Sequence, residues 1–438
     1  MLDYDAVAEL RQRVSDRLAE EAARRRTSGQ APLGAEEERA LAARLTAEAL
    51  QEESVARLAD GLAARGRAEV QEIAEAVDAL LFGMGRIQRY LNNADIDNVV
   101  IHGAESVVIE WCNGTVTEEP SPWTSTDELE AEIRSIAARH GRTERRFDTG
   151  HPRLDIRLPE GSRLTAVMSV VHTTTVVIRR HRFLDLDLGD LERLGTIDGR
   201  LRHFLETCVM SGQNTLVAGK TNVGKTTLLR ALLACCDPLE HIVTIETSLE
   251  LGLHTLRHRH RHVTALEARE ANAEGEGEVS VATMVTWALR LNPDRMVVGE
   301  VLGDEVLPML NAMGNGASGS MTTLHARSSE AVARRLAAYA SQAPRPIDAP
   351  RTAGLAVDAL DIIVFLDKVP DDQGRRRRVV TSVREVIGLS DGTLQTQELF
   401  TPGADGRAVP APILPQRLFE LECAGLDRSV FVTEGSWR

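Results

Sequence analysis

The most constraining feature of this 438-residue chain is a glycine-rich segment at residues 219–226, Gly-Lys-Thr-Asn-Val-Gly-Lys-Thr. It matches the phosphate-binding loop G-x-x-x-x-G-K-[ST], in which backbone N–H groups and one lysine surround the phosphates of a nucleotide. An apolar run at 215–218 precedes it, and a helix-forming stretch at 226–235 follows. The order strand, glycine-rich turn, helix predicts a parallel α/β sheet with the loop at the carboxyl end of a strand.

Lysine is rare in this chain, which gives the two lysines of the loop added weight. Only three of the 51 Lys and Arg residues are lysines, and Lys220 and Lys225 are two of them. Lysine is a compact charge on a thin stem that can reach between phosphates, whereas arginine is a wide planar fork. We therefore predict that Lys225 contacts the β- and γ-phosphates of ATP and that the Thr226 hydroxyl ligates Mg²⁺. The predicted nucleotide-binding residues are Gly219, Thr221, Asn222, Val223, Gly224, Lys225, Thr226 and Thr227.

Bulk properties exclude several other classes of protein. The net charge of −14 and the pI near 5.4 argue against a nucleic-acid-coating protein, so no direct nucleic-acid partner is expected. The apolar stretches are short and the N-terminus is acidic, without a signal-peptide region, so we expect a cytoplasmic protein. The five cysteines form no C-x-x-C pair and are expected to be reduced thiols.

Changes in composition and in the spacing of apolar residues along the sequence predict five segments. Residues 1–93 are rich in Ala and Glu at helical spacing and form an N-terminal helical region. Residues 94–182 alternate short apolar strands with one helix and form a small α+β domain, and 183–197 form a linker. Residues 198–400 alternate strands and helices as a parallel sheet with crossover helices does, and 401–438 form a C-terminal tail.

Acidic residues follow two further apolar runs of the second domain. Glu300 ends the run 296–299, and an acid at such a strand end faces the Mg²⁺ and the attacking water in P-loop proteins. Glu246 and Glu250 follow the run 242–245 in the same way. One of these two is expected near the phosphates, and the other is a solvated strand end.

Eight ordered segments between about residues 75 and 340 resemble the secretion ATPases of type II and type IV systems. They are residues 95–103 (DIDNVVIHG), 154–163 (LDIRLPEGSR), 177–180 (VIRR), 245–251 (IETSLEL), 267–269 (EAR), 274–277 (EGEG), 289–300 (LRLNPDRMVVGE) and 319–326 (GSMTTLHA). Segment 245–251 looks like the family's Asp box, and 267–269 with 274–277 looks like the run that follows it. Segment 289–300 looks like the Walker B segment, and 319–326 looks like the His box. The chain is most similar to the CpaF-like branch, which powers assembly of Flp-type pili.

This resemblance implies a hexameric ring of ATPase subunits. Each subunit would have an N-terminal domain hinged to a RecA-like motor domain, with ATP between them. It implies that Arg163 and Arg179 of the N-terminal domain contact the nucleotide, where arginine stabilises charge on the transferring phosphoryl group. It further implies catalytic roles for Glu300 and Glu250, and a role for His325 in sensing the γ-phosphate or a neighbouring subunit. The implied partners are polytopic inner-membrane platform proteins and, indirectly, a pilin-like or secreted substrate, with the ring attached peripherally at the inner face of the membrane.

Three residues depart from the family's pattern and leave alternatives open. Thr247 replaces the Asp of the Asp box, Leu302 replaces an Arg after Walker B, and Ala317 lies where a His-Asp pair is usual. Each change is expected to remove a polar group near the site. The alternatives are a nucleotide-binding scaffold or regulatory subunit with weak turnover, and a conjugation-type ATPase that moves DNA.

Two polar clusters are weighed without a firm role. Four histidines alternate with arginines in residues 254–262, and a solvated loop is favoured there over a metal site because no Cys or acid completes a zinc pattern. The basic run 375–378 is interpreted as a solvated hairpin in preference to a lipid contact.

Overall fold

A computed structural model describes residues 3–140, 146–180, 185–269, 271, 275–370 and 376–432, and the chain divides into two units. The first unit is Met1–His181 and the second is Arg182–Arg438. Part of the predicted linker (183–184), Glu274 of the family segment 274–277 and Arg375 of the basic run lie outside the described residues.

The first unit begins with helices, as the Ala- and Glu-rich composition predicts. Its helices are α1 (Tyr4–Thr27), α2 (Ala35–Ala59), α3 (Arg67–Leu81), α4 (Gln88–Asn92) and α5 (Thr126–His140). The Asp3 side chain caps α1 by accepting a hydrogen bond from the backbone N–H of Ala6 at 3.1 Å. The first three helices pack together through a small apolar cluster, which includes Val7, Leu50 and Ile73.

An antiparallel sheet follows these helices in the first unit. Its strands are β1 (Ile96–His102), β2 (Ser106–Trp111), β3 (Val116–Pro120), β4 (Arg153–Arg157), β5 (Arg163–Val167) and β6 (Thr175–Arg179), in the order β3-β2-β1-β6-β5-β4. Gly114, with φ +85°, forms the turn between β2 and β3. Strand β5 stops at Val167, and Ser169 beyond it has φ +63°.

The second unit is built on a mixed sheet with helices on both faces. Its strands are β7 (Thr215–Gly219), β8 (Ile242–Glu246), β9 (Val263–Glu267), β10 (Arg295–Val301), β11 (Met321–His325), β12 (Ile362–Pro370), β13 (Arg376–Ser390), β14 (Thr393–Pro402) and β15 (Ala408–Pro410). Its helices are α6 (Leu188–Arg193), α7 (Gly199–Met210), α8 (Lys225–Leu233), α9 (Val281–Ala288), α10 (Val306–Gly314), α11 (Ala331–Gln342), α12 (Ala349–Ala359) and α13 (Leu418–Cys423).

The strand order brings the carboxyl ends of the central strands to one edge. Among the described residues the order is β15-β14-β13-β12-β7-β11-β10-β8-β9, with parallel pairing from β12 to β9 and antiparallel pairing from β12 to β15. Strands β7 and β8 are buried along their whole length, as expected where helices cover both faces of a parallel sheet. Helices α6, α7, α8 and α13 pack on one face, and α9 to α12 pack on the other.

The C-terminal segment is part of this second unit. The predicted end of the motor domain, residue 400, lies inside β14. Phe431 is 5% exposed and packs against Phe204 of α7 and Phe400 of β14, with ring centroids 5.7 Å apart in both pairs. Residues beyond 400 therefore complete the apolar layer over α7. No helix in the part of the chain that the structure describes is both long and apolar enough to cross a bilayer.

We expect Phe431→Ala to destabilise the second unit by about 3 kcal/mol, because it deletes a buried ring from a three-ring cluster. Phe419→Ala is the matched control, since Phe419 lies nearby in sequence and is 77% exposed. Urea unfolding of the full chain followed by far-UV circular dichroism measures both. An unchanged midpoint for Phe431→Ala would show that the C-terminal segment does not contribute to the fold.

Candidate ATP-binding site

The phosphate loop connects β7 to α8, as the sequence predicts. Gly224 has φ +98°, a left-handed conformation that glycine adopts without strain, and α8 begins at the next residue. A side chain on Gly219 would lie 2.6 Å from the carbonyl oxygen of Leu366 and 2.8 Å from Val223. Val223 itself is 1% exposed and anchors the loop in the core, so its predicted contribution to binding comes from the backbone.

Lys225 is the buried cation of this loop. It is 7% exposed, and its Nζ donates hydrogen bonds to the carbonyl of Lys220 at 3.2 Å and to Nδ1 of His325 at 3.1 Å. The other predicted side chains are more accessible: Thr221 and Asn222 are exposed, and Thr226 and Thr227 are half-buried. The loop thus combines one buried lysine with exposed polar groups.

His325 joins Lys225 to Glu300. His325 ends β11, and its Nε2 lies 2.7 Å from Oε1 of Glu300 on the neighbouring strand β10. An ammonium group only donates, so Nδ1 accepts from Lys225, and Nε2 carries the proton that it donates to Glu300. Burial and the Lys225 charge lower the pKa of His325, which favours this neutral imidazole. The structure therefore brings together three site residues that the sequence places up to 100 positions apart.

Glu246 is the second carboxylate at this edge of the sheet. It is one of the two acids, Glu246 and Glu250, of which the sequence predicts one near the phosphates. It ends β8, is 4% exposed, and its Oε2 accepts the backbone N–H groups of Glu250 and Leu251, both at 2.7 Å. Its Oε1 is buried without a hydrogen-bond partner among the described residues. Burial raises the pKa of Glu246 to about 7. Glu250 is half-buried, and its backbone shapes the turn that holds Glu246.

A glycine lets Glu246 lie against the next strand. A side chain on Gly299 would come within 2.9 Å of the Glu246 Cγ. The glycine immediately before Glu300 therefore admits the carboxylate from β8. The catalytic role of Glu250 stays a prediction. The strands β7, β11 and β8 end in Gly219, His325 and Glu246, and Glu300 is the next-to-last residue of β10. These residues share the edge at which open α/β sheets bind ligands.

Arg230 of α8 holds the turn that follows β8. Helix α8 is the helix that follows the phosphate loop. Arg230 is 4% exposed, donates from Nε to the carbonyl of Leu251 at 3.1 Å, and also donates to the carbonyl of Glu250. The position of α8 and the position of Glu246 are therefore linked through buried hydrogen bonds.

The three departures from the family pattern lie in different places. Thr247 directly follows β8 and is exposed, and Leu302 follows β10 and is 50% exposed. Ala317 precedes the amino end of β11, whereas the loop lies at the carboxyl end of the adjacent β7. The expectation that all three changes lie near the site is wrong for Ala317, because the two ends of a five-residue strand are roughly 15 Å apart.

Arg163 and Arg179 lie in the first unit on neighbouring strands. They face each other across β5 and β6, and Arg157 lies opposite Arg163 on β4. Arg163 pairs with Asp155 at 3.5 Å, and Arg179 is exposed. The contact of Arg163 and Arg179 with nucleotide stays a prediction.

The histidine-rich segment 254–262 is less solvated than expected. His260 is 3% exposed, burial lowers its pKa, and His262 stacks on His241 with ring centroids 3.9 Å apart. The segment leads directly into β9, which the sequence analysis did not predict. Within the described ranges no group of three or more His, Cys, Asp or Glu side chains is arranged to hold a metal ion.

A parallel sheet, a phosphate loop with a buried lysine, and acids at adjacent strand ends define a P-loop ATPase with an N-terminal domain and a RecA-like motor domain. The family described as "Type II/IV secretion system protein" matches residues 82–361, more than half of the sequence. The chain belongs to this family. The predictions of the fold and of a secretion-system ATPase are confirmed at this level.

Individual relatives agree with this assignment. A protein of Mycobacterium tuberculosis (strain H37Rv), whose name assigns it provisionally to conjugal transfer, is 34% identical over 321 residues, 71% of this chain and 87% of its own length. "Type IV secretion system protein VirB11" of Bartonella quintana is 25% identical over 333 residues, 67% of this chain and 91% of its own. The solved structure of the Legionella pneumophila ATPase DotB has a TM-score of 0.50 at 18% identity, covers 68% of this chain and 79% of its own, and is similar in fold.

The two loop lysines should differ sharply in their effect on nucleotide binding. Lys225→Ala should weaken ATP binding roughly a hundredfold, because it removes the buried charge that faces the phosphates. Lys220→Ala is the matched control: Lys220 is 54% exposed and pairs with Asp367 at 2.7 Å, and such ion pairs contribute about 1 kcal/mol or less. Equilibrium titration with a fluorescent ATP analogue measures both. Equal losses for the two variants would contradict this division of roles.

The raised pKa of Glu246 should make the free energy of unfolding depend on pH. Between about 4.5 and 7 the folded protein keeps the proton that the unfolded chain has lost, so stability declines as pH rises through this window and then levels off. The cost is about 3 kcal/mol at pH 8. Glu246→Gln should recover part of it at pH 8 and lie closer to the wild type at pH 5.

The control for this experiment is Glu250→Gln, which changes the same turn. It should keep most of the wild-type pH dependence, because burial contributes more than the Glu250 charge to the raised pKa of Glu246. Urea unfolding at pH 5 and pH 8 provides the comparison. If Glu246→Gln retained the full decline between the two pH values, Glu246 would not be the group responsible.

Proposed function

We propose that this protein is a Mg²⁺-dependent ATPase of the CpaF-like branch that powers pilus assembly or protein secretion across the cell envelope. The observation that carries the proposal is the chain of contacts Lys225–His325–Glu300 at the end of the phosphate loop. A cation for the phosphates and a carboxylate for the attacking water, joined through His325, support the proposal. Motif, strand order and family membership support the same activity.

The residues divide the work by accessibility and charge. Glu300, whose side chain is 37% exposed, orients the attacking water and draws off its proton. Glu246 is the second candidate acceptor, because a pKa of about 7 lets a carboxyl gain and lose a proton near neutral pH. Mg²⁺, when bound, would neutralise charge on the phosphates, and the half-buried Thr226 hydroxyl at the start of α8 is the group placed to hold it.

His325 reports whether the loop is occupied. In the structure, Lys225 donates to His325 and His325 donates to Glu300. Phosphate oxygens compete for the Lys225 ammonium, which frees Nδ1 of His325 and changes the support of Glu300. Occupancy of the loop is thereby coupled to the carboxylate that orients water.

Assembly and location follow from the family resemblance. We propose a hexameric ring in which Arg163 and Arg179 contact nucleotide and couple hydrolysis to rigid-body domain motion. The ring is proposed to act in the cytoplasm at the inner face of the cell membrane, held by polytopic platform proteins. Its substrate is pilin-like or secreted.

The second candidate is a nucleotide-binding scaffold or regulator with little turnover. Two observations favour it: Thr247 and Leu302 directly follow β8 and β10, and both present neutral side chains where the family has charged ones. The contact between Lys225 and His325 would then serve to hold the loop against β11.

Steady-state hydrolysis separates the two candidates. We expect wild-type turnover to exceed that of Lys225→Ala and of Glu300→Gln by about two orders of magnitude, while Glu300→Gln still binds ATP. Turnover of the wild type no faster than Lys225→Ala would reject the motor and favour the scaffold. Light scattering with and without nucleotide tests the hexamer.

The conjugation-type alternative has its own test. Salt-sensitive DNA binding would support it.

A further inference from the structure

We propose that Arg378 of β13 is a further nucleotide-contacting residue, which reaches the phosphates in the loop of its own chain. This inference rests on the proposed ATP site and adds to it a residue outside the motif segments. The observation behind it is a close approach: the Cδ of Arg378 lies 3.8 Å from the position that a side chain on Gly224 would take. Gly224 is the last residue before α8.

The β12–β13 hairpin extends past the phosphate loop. Leu366 of β12 lies beside Gly219, where β7 ends, and β12 continues to Pro370. On β13, Val380 lies opposite Leu366, and Arg378 lies opposite Lys368. Arg378 therefore lies two residues along the hairpin beyond the level of Gly219, where the loop begins.

The face of the hairpin fixes the direction of these side chains. Leu366 and Val380 both pack in the apolar layer that contains α8. Because side chains alternate along a strand, Lys368 and Arg378 stand on the same face as Leu366 and Val380. They continue that layer past its apolar end, toward the first turn of α8, where backbone N–H groups and the helix dipole favour an anion.

Arg378 lies in a positively charged part of the hairpin, directly opposite Lys368. Arg378 is exposed, and among the described residues no carboxylate forms an ion pair with it. By contrast, Lys220 of the loop is paired with Asp367, which alternation places on the other face of β12. The phosphates of a nucleotide at the loop would supply an anion for the Arg378 guanidinium.

Arginine suits this position better than lysine would. Its stem passes along the glycine turn, and its planar guanidinium can donate two parallel hydrogen bonds to a phosphate. Lys225 approaches the phosphates from the core, and Arg378 would approach from the hairpin. The basic run 375–378, interpreted from sequence as a solvated hairpin, thus contributes one residue to the nucleotide site.

The test compares Arg378→Ala with Arg376→Ala in the full chain. Arg376 lies on the same strand and face, one side-chain repeat farther from the loop, and is also exposed. Titration with ADP and with a non-hydrolysable ATP analogue should show affinity about tenfold weaker for Arg378→Ala and less than twofold weaker for Arg376→Ala. Arg378→Lys should recover part of the loss because it keeps the charge.

Three outcomes decide the matter, with circular dichroism confirming that each variant is folded. Wild-type affinity in Arg378→Ala, with binding abolished in Lys225→Ala, would overturn this inference and leave the proposed function standing. Equal losses in Arg376→Ala and Arg378→Ala would also overturn it, since a diffuse charge effect would then replace a contact. Failure of the wild type to bind either nucleotide would reject the proposed function and the role of Arg378 together.

Discussion

The buried ammonium of Lys225 is the interaction on which the rest of the motor unit depends. A lysine that is 7% exposed needs partners, and it finds them in a loop carbonyl and in His325 on the neighbouring strand. His325 in turn holds Glu300. One buried charge thereby ties the phosphate loop, β11 and β10 to each other, and the same contacts hold together the cation and the carboxylate that we propose act in hydrolysis.

The surrounding packing keeps this edge of the sheet in register. Gly219 and Gly299 let neighbouring backbone and side chains approach more closely than any other residue would allow. Arg230 links α8 to the turn that holds Glu246. Charges buried without good partners are costly, so an edge of this kind is stable only when each group is placed by its neighbours. That requirement explains why the site lies where four parallel strands end side by side.

Much of this arrangement could be predicted from sequence because its signals are local. The phosphate loop, its strand and its helix occupy consecutive residues, and Glu300 ends a continuous apolar run. Other features could not be predicted, because they depend on pairing between distant segments. The strands β12 to β14 add an antiparallel extension that no short motif marks, and the aromatic packing of Phe431 reaches back to α7. The burial of Glu246 against β10 depends on the neighbouring Gly299.

The sequence by itself determined the class of chemistry, since G-x-x-x-x-G-K-[ST] between a strand and a helix serves phosphate binding through local backbone geometry. It also determined family membership, through ordered segments spread over residues 82–361. Only the tertiary structure decided which carboxylate is buried, which end of the sheet Ala317 occupies, and that Arg378 lies beside the loop. The physical reason is that burial, pKa and charge proximity depend on which strands are neighbours, and strand order is a property of the whole fold.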